Sequence, residues 1–275
     1  MLTKYYYNFF NMTIVLETND SPFTDLINAI LGDIRCEYKN NIIATITQEF
    51  DGDYYVFKVN NEIFLKCKDL QRAVLEISSE IINRFVHNSN GLLYLHAGAV
   101  QKNGKVLIIV GDSRSGKTSL VSFLINHYGY EFLSDEIVPI VLSNGNVLPF
   151  YRALSIRKET LPFLNISDSI DNDISTVDGE VVKFVSYKSL SNTTDGDRNN
   201  MIATIVFPRF GEYTLIDEVD VKSALTKLLE SSVNFRSVVN EGLDFIVKML
   251  PSVKLYELTI QDLSNAAKCV SKLFK

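Results

Sequence analysis

The chain has 275 residues, 46 % of them hydrophobic and 22 % charged, with a formal net charge of -6. That length suits one larger domain with a smaller partner, and the composition is that of a globular chain able to bury a core rather than a disordered one. The acidic balance argues against a general grip on nucleic acid or on an anionic membrane, since both require a basic face.

In chain order, MLTKYYYNFFNMTIVLETND lacks an apolar run ending in a small-residue cleavage site, so it reads as strand rather than signal peptide. SPFTDLINAILGDI follows as a helix opened by Ser21 and Pro22. IRCEYK, NIIATITQEF, DYYVFKV and VNNEIFLKC read as strands with a turn at Asn60-Asn61, and their alternation predicts an antiparallel sheet. From Lys68 to His87, apolar residues including Val74, Ile77, Ile81 and Phe85 recur at helical spacing. HNSNG at 87–91 has turn-forming composition and marks a boundary between a small α/β domain at 1–90 and a second domain at 91–275. No run approaches the roughly 18 apolar residues of a membrane span. Cys36, Cys67 and Cys269 are scattered and form no C-x-x-C, so neither a disulfide framework nor a zinc site is indicated, and a reducing cytoplasm is expected.

The second domain opens with GLLYLHAGAV and VLIIV, two strands joined by a tight turn at Asn103-Gly104. KTSLVSFLINHY then reads as a helix and EFLSDEIVPIVL as a returning strand. VLPFYRALSIRK and MIATIVFPRF are further strands. The polar stretch 165–200, which flanks a short strand EVVKFVSY, is expected to serve as a substrate loop. Three helices, DVKSALTKLLESSVNF, SVVNEGLDFIVKML and IQDLSNAAKCVSKLF, close the chain, with a strand VKLYEL between the last two. The fold class expected is α/β of the α+β kind, with a mixed sheet and helices.

Between VLIIV and the helix lies GDSRSGKTS, which fits the phosphate-binding pattern G-x-x-x-x-G-K-[ST]. Its backbone N–H groups, from Gly111, Asp112, Ser113, Arg114, Ser115 and Gly116 into Lys117, Thr118 and Ser119, are suited to wrap phosphate oxygens. Lys117 would neutralise the terminal phosphates and the Thr118 hydroxyl would ligate Mg²⁺. The loop follows a hairpin, which leaves no room for the helical crossover that links neighbouring parallel strands in a doubly wound nucleotide fold. Asp135 and Glu136 come after the loop helix; such a pair can divide the labour, one carboxylate on the metal and the other taking a proton, whereas an isolated pair is more often a solvated turn. His96 interrupts an apolar strand, where a histidine is commonly a hydrogen-bonded core residue, but the hairpin brings its strand beside the one feeding the loop. Arg152 and Arg209, in PFYRALSI and VFPRF, are candidates for phosphate or substrate contact and equally for surface roles.

The order LHAGAV, hairpin, GDSRSGKT, helix, FLSDE resembles the pattern of bacterial HPr kinase/phosphorylase and its related kinases, which share a core with phosphoenolpyruvate carboxykinase. PFYRALSI, VFPRF and LPSVKLYELTIQDLSNAA are similar to further segments of that group, so the resemblance spans about 91–270. Arg114 stands where the group favours Gly, and Tyr151 where it has Pro. The resemblance implies an HPr-kinase-like core in which Asp135 accepts the proton of a substrate Ser, His96 modulates Asp135, Lys117 and Thr118 hold nucleotide and Mg²⁺, and Glu136 lies near the metal. The Gly- and Arg-rich signature tied to the phosphorylase reaction is not evident. The chain is also similar to peptide-tailoring kinases, including those acting on the C-terminal Ser of lasso precursor peptides.

The function expected is therefore an ATP- and Mg²⁺-dependent kinase acting on a Ser of a small protein or precursor peptide. Its partners would be that substrate, not nucleic acid or membrane, with self-association as in HPr kinase, and residues 1–90 would recognise the acceptor. A nucleotide-binding module that recognises a leader peptide without transferring phosphate is the alternative. An enzyme acting on a small acid, as phosphoenolpyruvate carboxykinase does, would need further metal-ligating His and Lys residues.

Overall fold

Two-residue turns set the first elements, because a left-handed pair matches the twist of the strands it joins. Phe10 and Asn11, with φ of 45° and 61°, join β1 (Thr3–Phe9) to β2 (Met12–Thr18) in a computed structural model that describes residues 2–37, 40–166, 173–175, 179–190 and 200–274. The Asp20 carboxylate accepts the Phe23 N–H at 2.9 Å and caps α1 (Ser21–Leu31), a contact worth about 1 kcal/mol in such positions. IRCEYK contributes only β3 (Arg35–Cys36), on the far side of β1. β4 (Ile42–Phe50), β5 (Tyr55–Val59) and β6 (Glu62–Cys67) follow, the last two joined through Asn60 and Asn61 at φ of 49° and 71°.

The strands form one six-stranded sheet in the order β3-β1-β2-β4-β5-β6. It is not wholly antiparallel as the alternation predicts: β2 and β4 run parallel, because the segment containing α1 carries the chain back to the starting end. α2 (Leu70–Asn88), capped by Asp69, buries Val74, Ile77, Ile81 and Phe85, each worth about 1.5–3 kcal/mol when removed from water.

β7 (Leu92–Leu95) and β8 (Ala97–Lys102) come next, and Asn103 and Gly104, both at positive φ, turn β8 into β9 (Lys105–Val110). α3 (Lys117–Tyr128) ends at Gly129 in the left-handed region and leads to β10 (Glu131–Ser134) and β11 (Val138–Val141). β12 (Leu154–Arg157), β13 (Asp173–Ser175) and β14 (Val181–Val185) make a small antiparallel sheet in the order β12-β14-β13. The remainder of the expected substrate loop at 165–200 lies largely outside the described residues. β15 (Met201–Phe210), β16 (Leu215–Glu218), α4 (Val221–Glu230), α5 (Val239–Met249), β17 (Lys254–Ile260) and α6 (Leu263–Lys272) complete the chain. Of these, β16 has no counterpart in the sequence reading.

The second large sheet has the order β10-β8-β9-β15-β17-β16. Its centre is parallel, β9 beside β15 beside β17, and its margins are antiparallel. Ile108, Val110, Ile205 and Phe207 pack with Ala224 and Leu228 of α4 and Ile246 of α5 in one apolar cluster. The chain is thus mixed α/β of the α+β class. It divides into two compact units: Met1–Asn90 with Tyr151–Lys158 and Ser169–Ser186, and Gly91–Phe150 with Glu159–Asp168 and Tyr187–Lys275. Two stretches that follow residue 91 in sequence therefore belong with the first unit. Among the described residues, no helix is long and apolar enough to cross a membrane.

Candidate functional site

Strand β9 ends on fully buried Ile108, Ile109 and Val110, and the chain turns at once into the loop 111–116. A Cβ on Gly111 would stand 2.7 Å from Ser115 Oγ and 3.4 Å from the Pro208 carbonyl, so only glycine lets the loop close on itself beside β15. Gly116 adopts φ of 94° and starts α3 without a side-chain cap. The first amides of that helix are therefore left to an outside acceptor, and the helix dipole favours an anion there. Arg114 has φ of 68°, the left-handed region. A glycine would take that conformation without strain, whereas Arg114 occupies it at a conformational cost.

Lys117 is buried, and its ammonium donates to the Gly111 carbonyl at 2.7 Å and the Asp112 carbonyl at 2.8 Å. Burial lowers its pKa from the usual lysine value, opposed by the negative charges of Asp135, Glu136 and Asp112. A desolvated ammonium fixed over the mouth of the loop suits a ligand with several negative charges.

GLLYLHAGAV and EFLSDEIVPIVL, each read as one strand, are each broken at the same level. β7 pairs with β11 in a separate two-stranded sheet, with Leu95 opposite Val138, while β8 pairs with β10 in the large sheet, with Ala99 opposite Ser134. His96 falls at the first break, Asp135 and Glu136 at the second. Glu136 takes φ of 70°, and its carbonyl accepts from the Ala97 N–H at 3.3 Å and lies 3.1 Å from His96 Nδ1. A carbonyl can only accept, so His96 carries its proton on Nδ1 and leaves Nε2 as the basic nitrogen. Burial, and then the charge of Lys117, hold the His96 pKa below its usual value.

Asp135 is 2 % exposed, and its Oδ2 accepts the Thr118 hydroxyl at 3.0 Å. This bond brings the acidic turn onto the first turn of the loop helix. Gly98 makes room for it: a Cβ there would stand 2.6 Å from Val121 Cγ2 and 3.5 Å from Asp135 Oδ1. Lys117, Thr118, Asp135, Glu136 and His96 thus share one locality, as the sequence leads one to expect. Ser119 is tied instead to Thr160, hydroxyl to hydroxyl at 3.0 Å, while Asp112, Ser113 and Arg114 are exposed on the loop.

Arg209 Nε donates to Glu257 at 3.0 Å across the β15–β17 pair, and Glu257 also accepts from Lys227 at 2.8 Å. Arg152 belongs to the first unit, where it is buried with its guanidinium 5.8 Å from the centre of the Phe184 ring. Two positioning residues escape the sequence reading. Buried Asn234 accepts from the Tyr94 N–H and donates to the Leu92 carbonyl, both at 2.9 Å, anchoring β7 up to His96. Nothing in SSVNF signals that role. Gly98 is the other, and a glycine inside a strand is a recognised sign of close approach.

Among the described residues, no group of three or more His, Cys, Asp and Glu side chains is placed to hold a metal by itself. The Thr118 hydroxyl and Asp135 carboxylate still fit Mg²⁺, which binds through one or two protein oxygens with waters and substrate phosphates supplying the rest. The chain matches no protein-family model and no curated protein.

Proposed function

We propose that this chain is a kinase that transfers the γ-phosphoryl group of ATP to a Ser hydroxyl on a small protein or precursor peptide, with Mg²⁺ as cofactor. The observation that carries the reading is the 3.0 Å bond between Thr118 and Asp135, which joins a phosphate-loop hydroxyl to a buried carboxylate. A loop that only binds nucleotide needs no such carboxylate beside an acidic turn and a histidine. The motif order described above, which resembles that of the HPr-kinase-related group, supports the same reading, with the sheet containing β9 as the corresponding core.

In this reaction the bond from the γ-phosphorus to the bridging oxygen breaks, a bond to the Ser oxygen forms, and ADP leaves. Asp135 receives the proton that the Ser hydroxyl releases. Lys117 and the loop amides face the charge that develops on the transferring group, and such fixed donors supply most of the rate in phosphoryl transfer. His96 holds the Glu136 carbonyl and so keeps the turn carrying Asp135 in place. Thr118 with Asp135 or Glu136 would hold Mg²⁺, which would supply positive charge against the phosphates. Residues 1–90 would recognise the acceptor. Cys36, Cys67 and Cys269, scattered along the sequence without a C-x-x-C, suit a reducing cytoplasm.

The test is incubation with ATP, Mg²⁺ and candidate Ser peptides, with phosphopeptide detected by mass spectrometry. Asp135→Asn is expected to lower transfer about 10²–10⁴-fold, the usual worth of a positioned base. Near-normal transfer by that variant contradicts the base assignment. Tight ATP binding with no product on any peptide would favour the non-catalytic module instead.

A further inference from the structure

We infer that Phe210 is the platform on which the purine base of the bound nucleotide stacks. The inference rests on the reading of loop 111–118 as a triphosphate site and extends it to the other end of the ligand. Phe210 is the last residue of β15, the strand parallel to β9, and therefore ends at the same margin of the sheet as the phosphate loop. Ligands of such sheets bind outside the carboxyl ends of the parallel strands.

An exposed phenylalanine is ordinary by itself. What distinguishes Phe210 is its fixed position. A Cβ on Gly116 would stand 3.4 Å from Phe210 Cζ and 3.8 Å from its Cε2, so the ring lies against the residue that starts the loop helix, yet 61 % of Phe210 remains open to solvent. The backbone beneath it is pinned. Phe210 is paired with Ile260, the Gly211 N–H donates to the Ile260 carbonyl at 3.0 Å, and a Cβ on Gly211 would collide with Thr259 Cγ2 at 2.5 Å. The ring is thus an aromatic surface held ready before any ligand arrives, which lowers the ordering cost of stacking on it.

The chemistry of the occupant follows from the neighbour. A nucleotide whose phosphates lie in the loop carries its base on a short tether, so the base is present at the ring at high effective concentration. Every purine has a flat face that stacks on an aromatic side chain, and removal of such a platform costs about 1–3 kcal/mol per base, a fold-change of about 5–150.

The experiment is calorimetric titration of the full chain with ATP and, separately, with inorganic tripolyphosphate, which has the phosphates without the base. The wild type should bind ATP more tightly than tripolyphosphate. Phe210→Ala should weaken ATP binding about tenfold, leave tripolyphosphate binding unchanged, and so bring the two ligands together; Phe210→Trp should restore the preference. Unchanged ATP affinity in Phe210→Ala overturns the inference, as does an equal loss for both ligands, which would make the ring a support for the loop. A raised KM for acceptor peptide with ATP affinity unchanged would assign the ring to the acceptor instead, and also overturns it. A wild type that binds neither ligand removes the triphosphate reading itself; binding of tripolyphosphate with no preference for ATP leaves that reading standing and removes only the stacking.

Discussion

In the first unit, the described non-glycine residues in the left-handed region are Asn11, Asn41, Asn60 and Asn61, with Phe10 beside Asn11 in its hairpin turn. In the second, Asn103 fills a hairpin in the same way, but Arg114 and Glu136 take φ of 68° and 70° in loop 111–116 and the acidic turn. Asparagine tolerates this conformation because its short amide bonds to nearby backbone, whereas long side chains gain nothing comparable. In the first unit, Phe10–Asn11 and Asn60–Asn61 thus reverse strands. The second also spends left-handed residues on aiming groups: the Glu136 carbonyl meets His96 and Ala97, and the Arg114 turn lets the loop close ahead of Lys117. Backbone strain thus falls where charged groups converge, which marks loop 111–116 and the acidic turn as a candidate site.

The contrast can be tested first at glycines. Gly98→Ala should destabilise the protein by about 1–3 kcal/mol, because Val121 must yield and Asp135 is crowded, and phosphotransfer should fall with it. Gly32→Ala in the first unit, where φ is -58° and the nearest atom is 3.9 Å away, should be neutral or stabilise by about 0.4–1 kcal/mol. Urea midpoints of the two variants decide the matter, and equal effects would remove the close packing argued for the acidic turn.

A smaller effect comes from the strained positions themselves. Arg114→Gly should raise stability by about 1 kcal/mol relative to Asn60→Gly, since only the first relieves a costly conformation. Chemical denaturation that ranks the two variants in the opposite order would show that Arg114 is at ease where it sits.

The smallest expected effect is on pH dependence. His96 has a pKa held below the usual 6.5 by burial and by Lys117, so the unfolded chain takes up the proton first as pH falls. Its contribution to stability is full above pH 6.5 and is lost as pH falls from there through the folded-state pKa. His96→Gln should flatten the decline in urea midpoint between about pH 7 and pH 5, and an unchanged slope would mean that other groups cause it.

Much of this architecture is legible in the residues. The loop at 111–116, the hairpin before it and the helix after it follow from VLIIV, Asn103-Gly104 and the Gly-Lys-Thr sequence, because each is a local preference. The two broken strands are not legible. LLYLHAGAV is apolar on both sides of His96, and the chain leaves one sheet for another there because β11 and Asn234 hold β7, partners distant in sequence. Pairing across such distances has no local signature. The parallel β2–β4 pair is hidden for the same reason, since alternation reports burial of a face and not strand direction. Arg114 is legible only as an oddity until its φ is known.

The central claim is that loop 111–118 and the acidic turn form one site for a nucleoside triphosphate. Calorimetric titration of Mg²⁺ and ATP into the wild type and into Lys117→Ala tests it most directly, with thermal unfolding confirming that the variant remains folded. The wild type should bind and the variant should lose at least about thirtyfold in affinity, the least expected when a buried charged contact is removed. Equal affinity in the two proteins, or no binding by either, would contradict the claim.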